Sequence, residues 1–234
     1  MAPHSLARSL VVAIDGPAAS GKGTLARRLA EKLSFAHLDT GRIYRAVAFK
    51  LLQAGISPDN ISAAVEAAKQ LIPQDLDNSL LGTDEVASMA SKIAAIPGVQ
   101  LQLIDFQRNF SETPPDGRKG AILDGRDIGT VICPHANAKL FVTATAEARA
   151  TRRHKELLGR GLPSIYAQVL QDIMARDDRD AHRTTAPLTA APDAFLLDTT
   201  TLDAEGALAA ALAYILTQPG FNLNPGTEDE RGSS

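Results

Sequence analysis

The sequence predicts an α/β protein in which a parallel β-sheet is flanked by helices. Short apolar runs recur along the chain, and most are followed by a stretch with apolar residues at helical spacing. Strands that alternate with helices form parallel sheets, because the chain crosses over the sheet before it adds the next strand. We read the 234 residues as a single domain that is long enough to bury a full core.

The first strand is the valine-rich apolar run at residues 10–14, which is typical of a strand buried on both faces. A glycine-rich loop follows it. Leu25, Leu29 and Leu33 then recur every four residues, and charged residues occupy the other side. This pattern predicts an amphipathic helix that starts directly after the loop.

A second strand, "FAHL", begins at Phe35, and the Asp-Thr-Gly sequence after it predicts the start of another helix. Apolar residues at positions 43, 47 and 51 form the buried face of that helix, and Gly55 ends it. Later strands are predicted to begin at Gly120, Ala138 and Ala194. Further helices are predicted at 146–158, 163–178 and 203–216.

The segment from about 56 to 118 breaks this alternation with two alanine-rich, helix-like stretches, which predict a helical insert on the core. The polar C-terminal end is predicted to be disordered. The predicted organisation is a core at about 8–55 and 118–218, an insert at about 56–117, a mobile region at about 155–183 and a tail at about 219–234.

Composition excludes several classes of protein. The net charge of −3 argues against a general nucleic-acid binder. A single cysteine, Cys133, excludes an internal disulfide framework and a multi-cysteine zinc site, and the five histidines lack metal-ligand spacing. No apolar run approaches the ~18–20 residues that span a bilayer. The N-terminus reads as a first strand, not a signal peptide, so we expect a cytoplasmic protein without membrane contact.

The loop after the first strand, "GPAASGKGT", predicts a phosphate-binding site. Backbone N–H groups of such a loop converge on phosphate oxygens, and Lys22 can reach the β- and γ-phosphates. A tight turn with a solvated lysine is the alternative. The predicted ATP-binding residues are Gly16, Pro17, Ala18, Ala19, Ser20, Gly21, Lys22, Gly23 and Thr24.

Gly23 stands where the usual motif G-x-x-x-x-G-K-[ST] has a serine or threonine, whose hydroxyl ligates Mg²⁺. We therefore expect Mg²⁺ to be held by phosphate oxygens and waters, with a nearby aspartate such as Asp39, and we expect Thr24 to bond a phosphate. The G-K-G-T order resembles nucleoside monophosphate kinases.

Three further stretches narrow this resemblance: "LDTGRIYRA" from Leu38, "LDGRDIGT" from Leu123 and "RDDRDAHRTTAPL" from Arg176. Together, and in this order, they resemble the bacterial cytidylate kinases over about residues 10–216. The resemblance implies a P-loop nucleoside monophosphate kinase-like fold with a short helical acceptor-binding insert and an arginine-rich lid. It implies transfer of the γ-phosphoryl group of ATP to CMP and dCMP, in pyrimidine nucleotide metabolism, by a monomer that uses Mg²⁺ with ATP.

The resemblance also implies roles for residues of the first two motifs. Thr40 and Arg45 match contacts to the acceptor phosphate, and Asp39 lies near the metal and the transferred phosphate. Arg126 matches a phosphate contact and Asp127 a contact to the cytosine amino group. A carboxylate suits that role because it accepts a hydrogen bond from an exocyclic amine, which uracil lacks. A helix cap at Asp-Thr and an Arg126–Asp127 salt bridge are the alternatives.

Seven arginines fall between positions 149 and 183. A continuing helix would place Arg176, Arg179 and Arg183 on one side, where they repel one another unless an anion lies among them. The resemblance assigns Arg176 and Asp180 to the acceptor sugar and neighbouring phosphate, and Arg183 to the acceptor's phosphate side. The predicted catalytic residues are Lys22, Asp39, Arg176 and Arg183.

The insert departs from the family pattern. Gly82 and Gln100 stand where the pattern has arginine, whereas Ser91 matches a base-contacting serine. If Gln100 alone replaces that arginine contact, Gln100→Arg should tighten CMP binding, unless Arg108 already supplies the charge.

Two other functions are alternatives to this one. The first is another small-molecule kinase on the same loop. The second is an NTP-dependent switch or ATPase, but the chain has no N-K-x-D stretch, and Gly125 stands after Asp124 where an ATPase would place an acid.

Overall fold

The computed structural model describes residues 9–221. Its centre is a sheet of five parallel strands in the order β2-β3-β1-β4-β5, which confirms the predicted fold class. The strands are β1 (Leu10–Asp15), β2 (Ala36–Asp39), β3 (Gly120–Gly125), β4 (Ala138–Thr143) and β5 (Phe195–Asp198). The helices are α1 (Lys22–Leu33), α2 (Thr40–Gln53), α3 (Ile61–Lys69), α4 (Asp84–Ile93), α5 (Pro97–Glu112), α6 (Ala146–Gly159), α7 (Tyr166–Ala181) and α8 (Ala204–Ile215).

Successive side chains of each strand enter different apolar layers, because side chains alternate across a sheet. Ala13, Leu38 and Leu123 pack with α2 and the helices of the insert. Val12 and Ile14 belong to the layer that contains α1 and α8. Both faces of the sheet are therefore buried, which explains why its strands read as continuous apolar runs.

The insert is helical, as predicted, and consists of α3, α4 and α5 with short 3₁₀ turns between and after them. A π-helical turn at Ile128–Ile132 follows β3 and had no sequence signal. Helix α7 begins three residues later than predicted and continues to Ala181. The reversal from α6 needs those residues, and Gly161 takes a left-handed conformation there, with φ of 72°.

The apolar core extends past the predicted boundary at residue 218. Phe221 is 2% exposed, and its ring centroid lies 6.0 Å from that of Phe35. The rest of the predicted tail, and the start of the N-terminal segment, lie outside the described residues. Within 9–221, helices long and apolar enough to cross a membrane do not occur.

The topology determines where ligands can bind. In a parallel sheet the carboxyl ends of all strands lie at the same end of the sheet, which we call the carboxyl edge. Ligands bind in the crevice outside it. Strands β1, β2 and β3 are adjacent and end at Asp15, Asp39 and the Asp124–Gly125 pair. The side chains of Asp39 and Asp124 therefore share one face of the sheet beside the loop that follows β1, whereas that of Asp15 lies on the other face.

Candidate active site

The glycine loop between β1 and α1 has the backbone of a phosphate-binding loop. A β-carbon on Gly16 would lie 2.0 Å from the carbonyl oxygen of Val142 in β4, so only glycine fits this position. Gly21 and Ala19 both have positive φ, 90° and 58°. Left-handed residues inside such a turn direct successive N–H groups toward one point, which forms an anion-binding hollow at the start of α1.

Lys22 lies at the base of this hollow, and its ammonium group donates a hydrogen bond to the Pro17 carbonyl at 3.2 Å. Desolvation and the nearby guanidinium of Arg126 lower the pKa of Lys22 to about 7, although the carboxylates of Asp124 and Asp39 act in the opposite direction. A phosphate in the hollow would favour the charged form. Thr24 is exposed on the first turn of α1.

The residues beside the loop fit Mg²⁺. Asp39 and Asp124 are paired across β2 and β3, and a β-carbon on Gly23 would lie 3.9 Å from Asp124 Oδ1. Among residues 9–221, no cluster of three or more His, Cys, Asp or Glu side chains could hold a metal by itself. One or two carboxylates with substrate phosphates and waters are the usual environment of Mg²⁺, so this donor set suits it.

A pocket opens between this edge of the sheet and the insert. Its lining includes seven of the eight residues that the sequence predicted for acceptor binding; the whole lining is Thr40, Gly41, Tyr44, Arg45, Ala90, Ser91, Ala94, Gly125, Arg126, Asp127, Arg176 and Arg183. These residues come from α2, α4, α7 and the loops after β3 and α7, so only the folded chain brings them together.

The eighth residue, Asp180, lies behind the pocket. Its side chain is fully buried and accepts a hydrogen bond from Arg126 Nε at 2.7 Å and another from Arg183. Arg176 Nε lies 4.0 Å away. Burial acts to raise the pKa of Asp180, but the guanidinium groups of Arg126 and Arg183 hold it below the usual value. Asp180 therefore orients arginines in this structure, and its contact with the acceptor sugar, which the resemblance implied, stays a prediction.

Several polar atoms around the pocket retain unused hydrogen-bonding capacity. Ser91 Oγ and the Nε atoms of Arg176 and Arg183 are buried, and none has a hydrogen-bond partner within residues 9–221. Burial and the charge of Arg126 also lower the pKa of Arg176 to about 9. Buried donors of this kind, grouped around one cavity, are the chemistry of an anion site.

The prediction that Arg179 shares one side with Arg176 and Arg183 was wrong. Helix α7 ends at Ala181, so Arg183 lies beyond the helix, and Arg179 is exposed. The third arginine beside Asp180, with Arg176 and Arg183, is instead Arg126 from the loop after β3. The helical spacing could not report this because Arg126 and Asp180 are 54 positions apart.

Asp127 is held separately from Arg126. Arg126 uses its Nε on Asp180 and an Nη on the Gly125 carbonyl, which disfavours the alternative of an isolated Arg126–Asp127 salt bridge. Burial raises the pKa of Asp127 to about 6, against the opposing influence of Arg183. The carboxylate is therefore ionised at neutral pH and lines the pocket as a hydrogen-bond acceptor.

The helix-cap alternative is also disfavoured. Asp39 precedes α2 but makes no side-chain capping bond within the described residues, and Thr40 Oγ1 donates instead to the Asp124 carbonyl at 2.8 Å. A β-carbon on Gly41 would lie 2.9 Å from Asp39 Oδ1. The Asp-Thr-Gly sequence thus leaves the Asp39 carboxylate beside Lys22.

Sequence reasoning missed Asp15. Its buried carboxylate accepts hydrogen bonds from the backbone N–H groups of Ile128 and Gly129 at 2.8 and 2.7 Å. Burial raises the pKa of Asp15 to about 7, although both hydrogen bonds act against this. Asp15 therefore joins the end of β1 to the turn that follows Arg126 and Asp127. Its position directly before the glycine loop was the available signal.

Two arginines of α6 and one threonine hold the phosphate loop from behind, and sequence reasoning missed them as well. Arg149 bonds the Ala18 carbonyl at 3.2 Å and forms a bidentate pair with Asp177 of α7. Arg152 bonds Thr199, whose hydroxyl donates to the Ser20 carbonyl at 2.9 Å. The arginine-rich composition of α6 signalled a site, but not which of its arginines contact the loop.

The structure places Gln100 and Arg108 away from the pocket lining. Gln100 is 5% exposed, and its amide donates to the Ala94 and Thr185 carbonyls. Arg108 donates to the Val131 and Ile132 carbonyls. Neither side chain supplies the arginine contact that the family pattern suggested. Arg160 of the α6–α7 hairpin approaches the Gly82 carbonyl at 3.5 Å.

A phosphate loop on β1, a lysine between two strand-end carboxylates, and an arginine-rich pocket across the same edge define a P-loop kinase. The family model described as cytidylate kinase matches residues 12–217. The chain belongs to the cytidylate kinase family.

Individual relatives agree with this assignment. A cytidylate kinase of Paramagnetospirillum magneticum is 59% identical over 207 residues, which cover 88% of this chain and 98% of that one. A cytidylate kinase of Rhodospirillum rubrum is 52% identical and covers 87% of this chain and 95% of its own. A crystal structure of an uncharacterized protein from Eubacterium ventriosum is similar in fold alone, with 14% identity, a TM-score of 0.51, and coverage of 89% and 99%.

Proposed function

We propose that this chain transfers the γ-phosphoryl group of ATP to CMP and dCMP, with Mg²⁺ bound to ATP. The observation that carries the proposal is the pocket bounded by Ser91, Arg126 and Asp127, which opens across the strand ends from the phosphate loop. Asp127 is suited to the cytosine amine, and the arginines are suited to the acceptor phosphate. The same proposal includes a monomeric and cytoplasmic enzyme: the family resemblance implies the monomer, and the sequence analysis predicts the cytoplasm.

Phosphoryl transfer depends on positioning and on charge stabilisation, because the transferred group carries its charge on oxygen atoms and needs little covalent help. The loop N–H groups and Lys22 hold the β- and γ-phosphates of the donor. Arg126 and Arg183, fixed by Asp180, hold the acceptor phosphate, and Arg176 lies between the two sites. These cations offset the charge that repels the two phosphates from each other.

Asp39 and Asp124 would hold Mg²⁺ through water and the nucleotide phosphates. When bound, the ion supplies positive charge that neutralises the phosphate oxygens. Gly23 has no hydroxyl that could bind Mg²⁺. The Asp124 carboxylate lies close to this position and would compensate for that missing ligand.

The direct test is to measure ADP release from ATP with and without an acceptor, across CMP, dCMP, UMP, AMP and shikimate. We expect ADP release to depend strictly on an acceptor, with CMP and dCMP preferred. ADP release at the same rate without acceptor would identify an ATPase instead. A preference for AMP or shikimate would identify a different kinase on this fold.

Lys22→Ala should lower turnover by roughly 10³-fold or more, as expected for the loss of a charge at the reacting phosphate. CMP affinity should change little, because Lys22 faces the donor. Steady-state turnover and calorimetric CMP binding measure the two effects. Turnover within about tenfold of the parent would show that Lys22 does not reach the transferred group.

A further inference from the structure

A partly buried histidine pairs with the strand-end carboxylate beside the phosphate loop. His37 Nε2 lies 2.7 Å from Asp124 Oδ2, although the two residues are 87 positions apart. The side chain of Asp124 is 4% exposed and that of His37 is 19% exposed. A carboxylate only accepts hydrogen bonds, so the imidazole carries a proton on Nε2 and donates a hydrogen bond to Asp124.

The sheet register explains why these side chains meet. Asp39 is the partner of Asp124 across β2 and β3, and His37 is the partner of Ile122. Residues two apart on a strand share a face, so His37, Asp39 and Asp124 all lie on one face of the sheet. His37 thus lies two residues before the carboxyl end of β2, on the side of Asp124 away from the pocket.

The second oxygen of Asp124 faces the phosphate loop. Oδ1 lies 3.9 Å from the β-carbon position of Gly23, and the negative charge of Asp124 acts on Lys22. The backbone of Asp124 is also fixed, because Thr40 Oγ1 donates to its carbonyl. The hydrogen bond from His37 to Oδ2 therefore determines how the carboxylate is turned and where Oδ1 lies.

We infer that His37 is a positioning residue for phosphoryl transfer, which acts by fixing the Asp124 carboxylate so that Oδ1 is presented to the phosphate loop. The inference rests on the proposed function, because the loop must hold a nucleotide for Oδ1 to have a role there. Catalytic groups must be held within a fraction of an ångström of their working position, so a loosened carboxylate lowers turnover without removing any contact to the nucleotides.

Two substitutions separate positioning from simple stabilisation. His37→Gln keeps an N–H donor at a similar reach, whereas His37→Leu removes the donor and keeps an apolar side chain of moderate size. His135→Leu is a matched control, since His135 is exposed and precedes β4, which is separated from β2 by β3 and β1. Three measurements apply to each variant: steady-state kinetics, the melting temperature, and the affinity of the enzyme–ADP complex for Mn²⁺ by electron paramagnetic resonance.

We expect His37→Leu to lower kcat by about tenfold, the effect of losing one hydrogen bond to a charged group. KM for CMP should stay within about twofold of the parent value, and the affinity for Mn²⁺ should fall several-fold. His37→Gln should stay near the parent enzyme in kcat and in Mn²⁺ affinity. The control should match the parent throughout.

The inference is overturned if His37→Leu keeps the parent's kcat and Mn²⁺ affinity, or if His37→Gln is impaired as much as His37→Leu. A parallel loss of ATP and CMP affinity with a lower melting temperature also overturns it, since that is the signature of a merely structural pair. Failure of the proposed function is distinguishable, because it removes CMP-dependent turnover from the parent enzyme itself. The Mn²⁺ measurement on the ADP complex still decides the role of His37 in that case.

Discussion

Asp127 shows how burial sets the chemistry of a single side chain in this pocket. Desolvation raises the pKa of Asp127 to about 6, which leaves it ionised at neutral pH and protonated in mild acid. The ionised form only accepts a hydrogen bond and suits the amine of cytosine. The protonated form can also donate and suits the carbonyl oxygen of uracil.

The preference for CMP over UMP should therefore narrow as the pH falls from about 7.5 to about 5, through the pKa of Asp127. Both acceptors carry the same phosphate, so its own titration cancels in the ratio of their kcat/KM values. Asp127→Asn should narrow the preference by about tenfold and make it independent of pH, because an amide can turn its N–H toward uracil. Parallel weakening of both acceptors in Asp127→Asn would instead make Asp127 a structural residue.

Gln100 gives a second expectation at this scale, and it reverses the one drawn from the family pattern. An arginine at position 100 would be buried where the amide now bonds the Ala94 and Thr185 carbonyls. We expect Gln100→Arg to lower the free energy of unfolding by about 1–3 kcal/mol, as overpacking does, without tightening CMP binding. Asn109→Arg, at an exposed position of the same helix, is the control. Tighter CMP binding in calorimetry would restore the original expectation.

At the scale of elements, the phosphate loop is held between β1, α6 and α7. Arg149 is 5% exposed and contacts three segments at once: the Ala18 carbonyl of the loop, the Ala144 carbonyl before α6, and Asp177 of α7. Asp177 is next to Arg176, so the same helix that lines the acceptor pocket is tied to the donor loop. The proposed donor and acceptor sites therefore share one rigid support.

Arg149→Ala should lower the free energy of unfolding by about 1–3 kcal/mol, because it leaves Asp177 and two carbonyls without their partner. Arg28→Ala is the matched control. Arg28 pairs with Glu205, whose side chain is 76% exposed, and pairs of this kind contribute at most about 1 kcal/mol. Urea unfolding of both variants measures the difference. Equal losses in the two variants would mean that the Arg149 cluster contributes no more than a surface pair.

At the scale of the whole molecule, a chain with a net charge of −3 concentrates positive charge in one place. Arg45, Arg126, Arg176 and Arg183 line one pocket, and Lys22 lies beside it. Arg126, Arg176 and Arg183 share the single buried carboxylate of Asp180, so the cations outnumber it. The remaining repulsion is relieved by a bound anion, so binding and stability are linked.

Phosphate should therefore raise the melting temperature more than chloride does at equal ionic strength, by about 2–4 °C for each kcal/mol of binding energy. The extra rise in melting temperature with phosphate should be smaller in Arg45→Ala than in the parent. Arg42→Ala should keep it, because Arg42 bonds the Leu76 and Asn78 carbonyls outside the pocket. Since phosphate also stabilises proteins by exclusion from their surface, an increment that is equal in all three proteins would contradict specific binding.

The sequence by itself determined the elements and the donor loop. The alternation of apolar runs with helical spacing specified a parallel sheet, and the Gly16–Lys22 motif indicated the proposed phosphate site, because both signals are local to the chain. The motifs around Asp39, Arg126 and Arg176 also identified residues that the structure brings to one pocket.

Only the tertiary structure decided how these side chains are paired. Strand order placed His37 against Asp124, and the crossover after β3 placed Arg126 on Asp180 in the position expected for Arg179. Gln100 and Arg108 faced backbone carbonyls and not the pocket, although their helix was anticipated. Periodicity reports which face of an element a residue occupies, but partners that lie far apart in the sequence are set by how the elements pack, which no local pattern encodes.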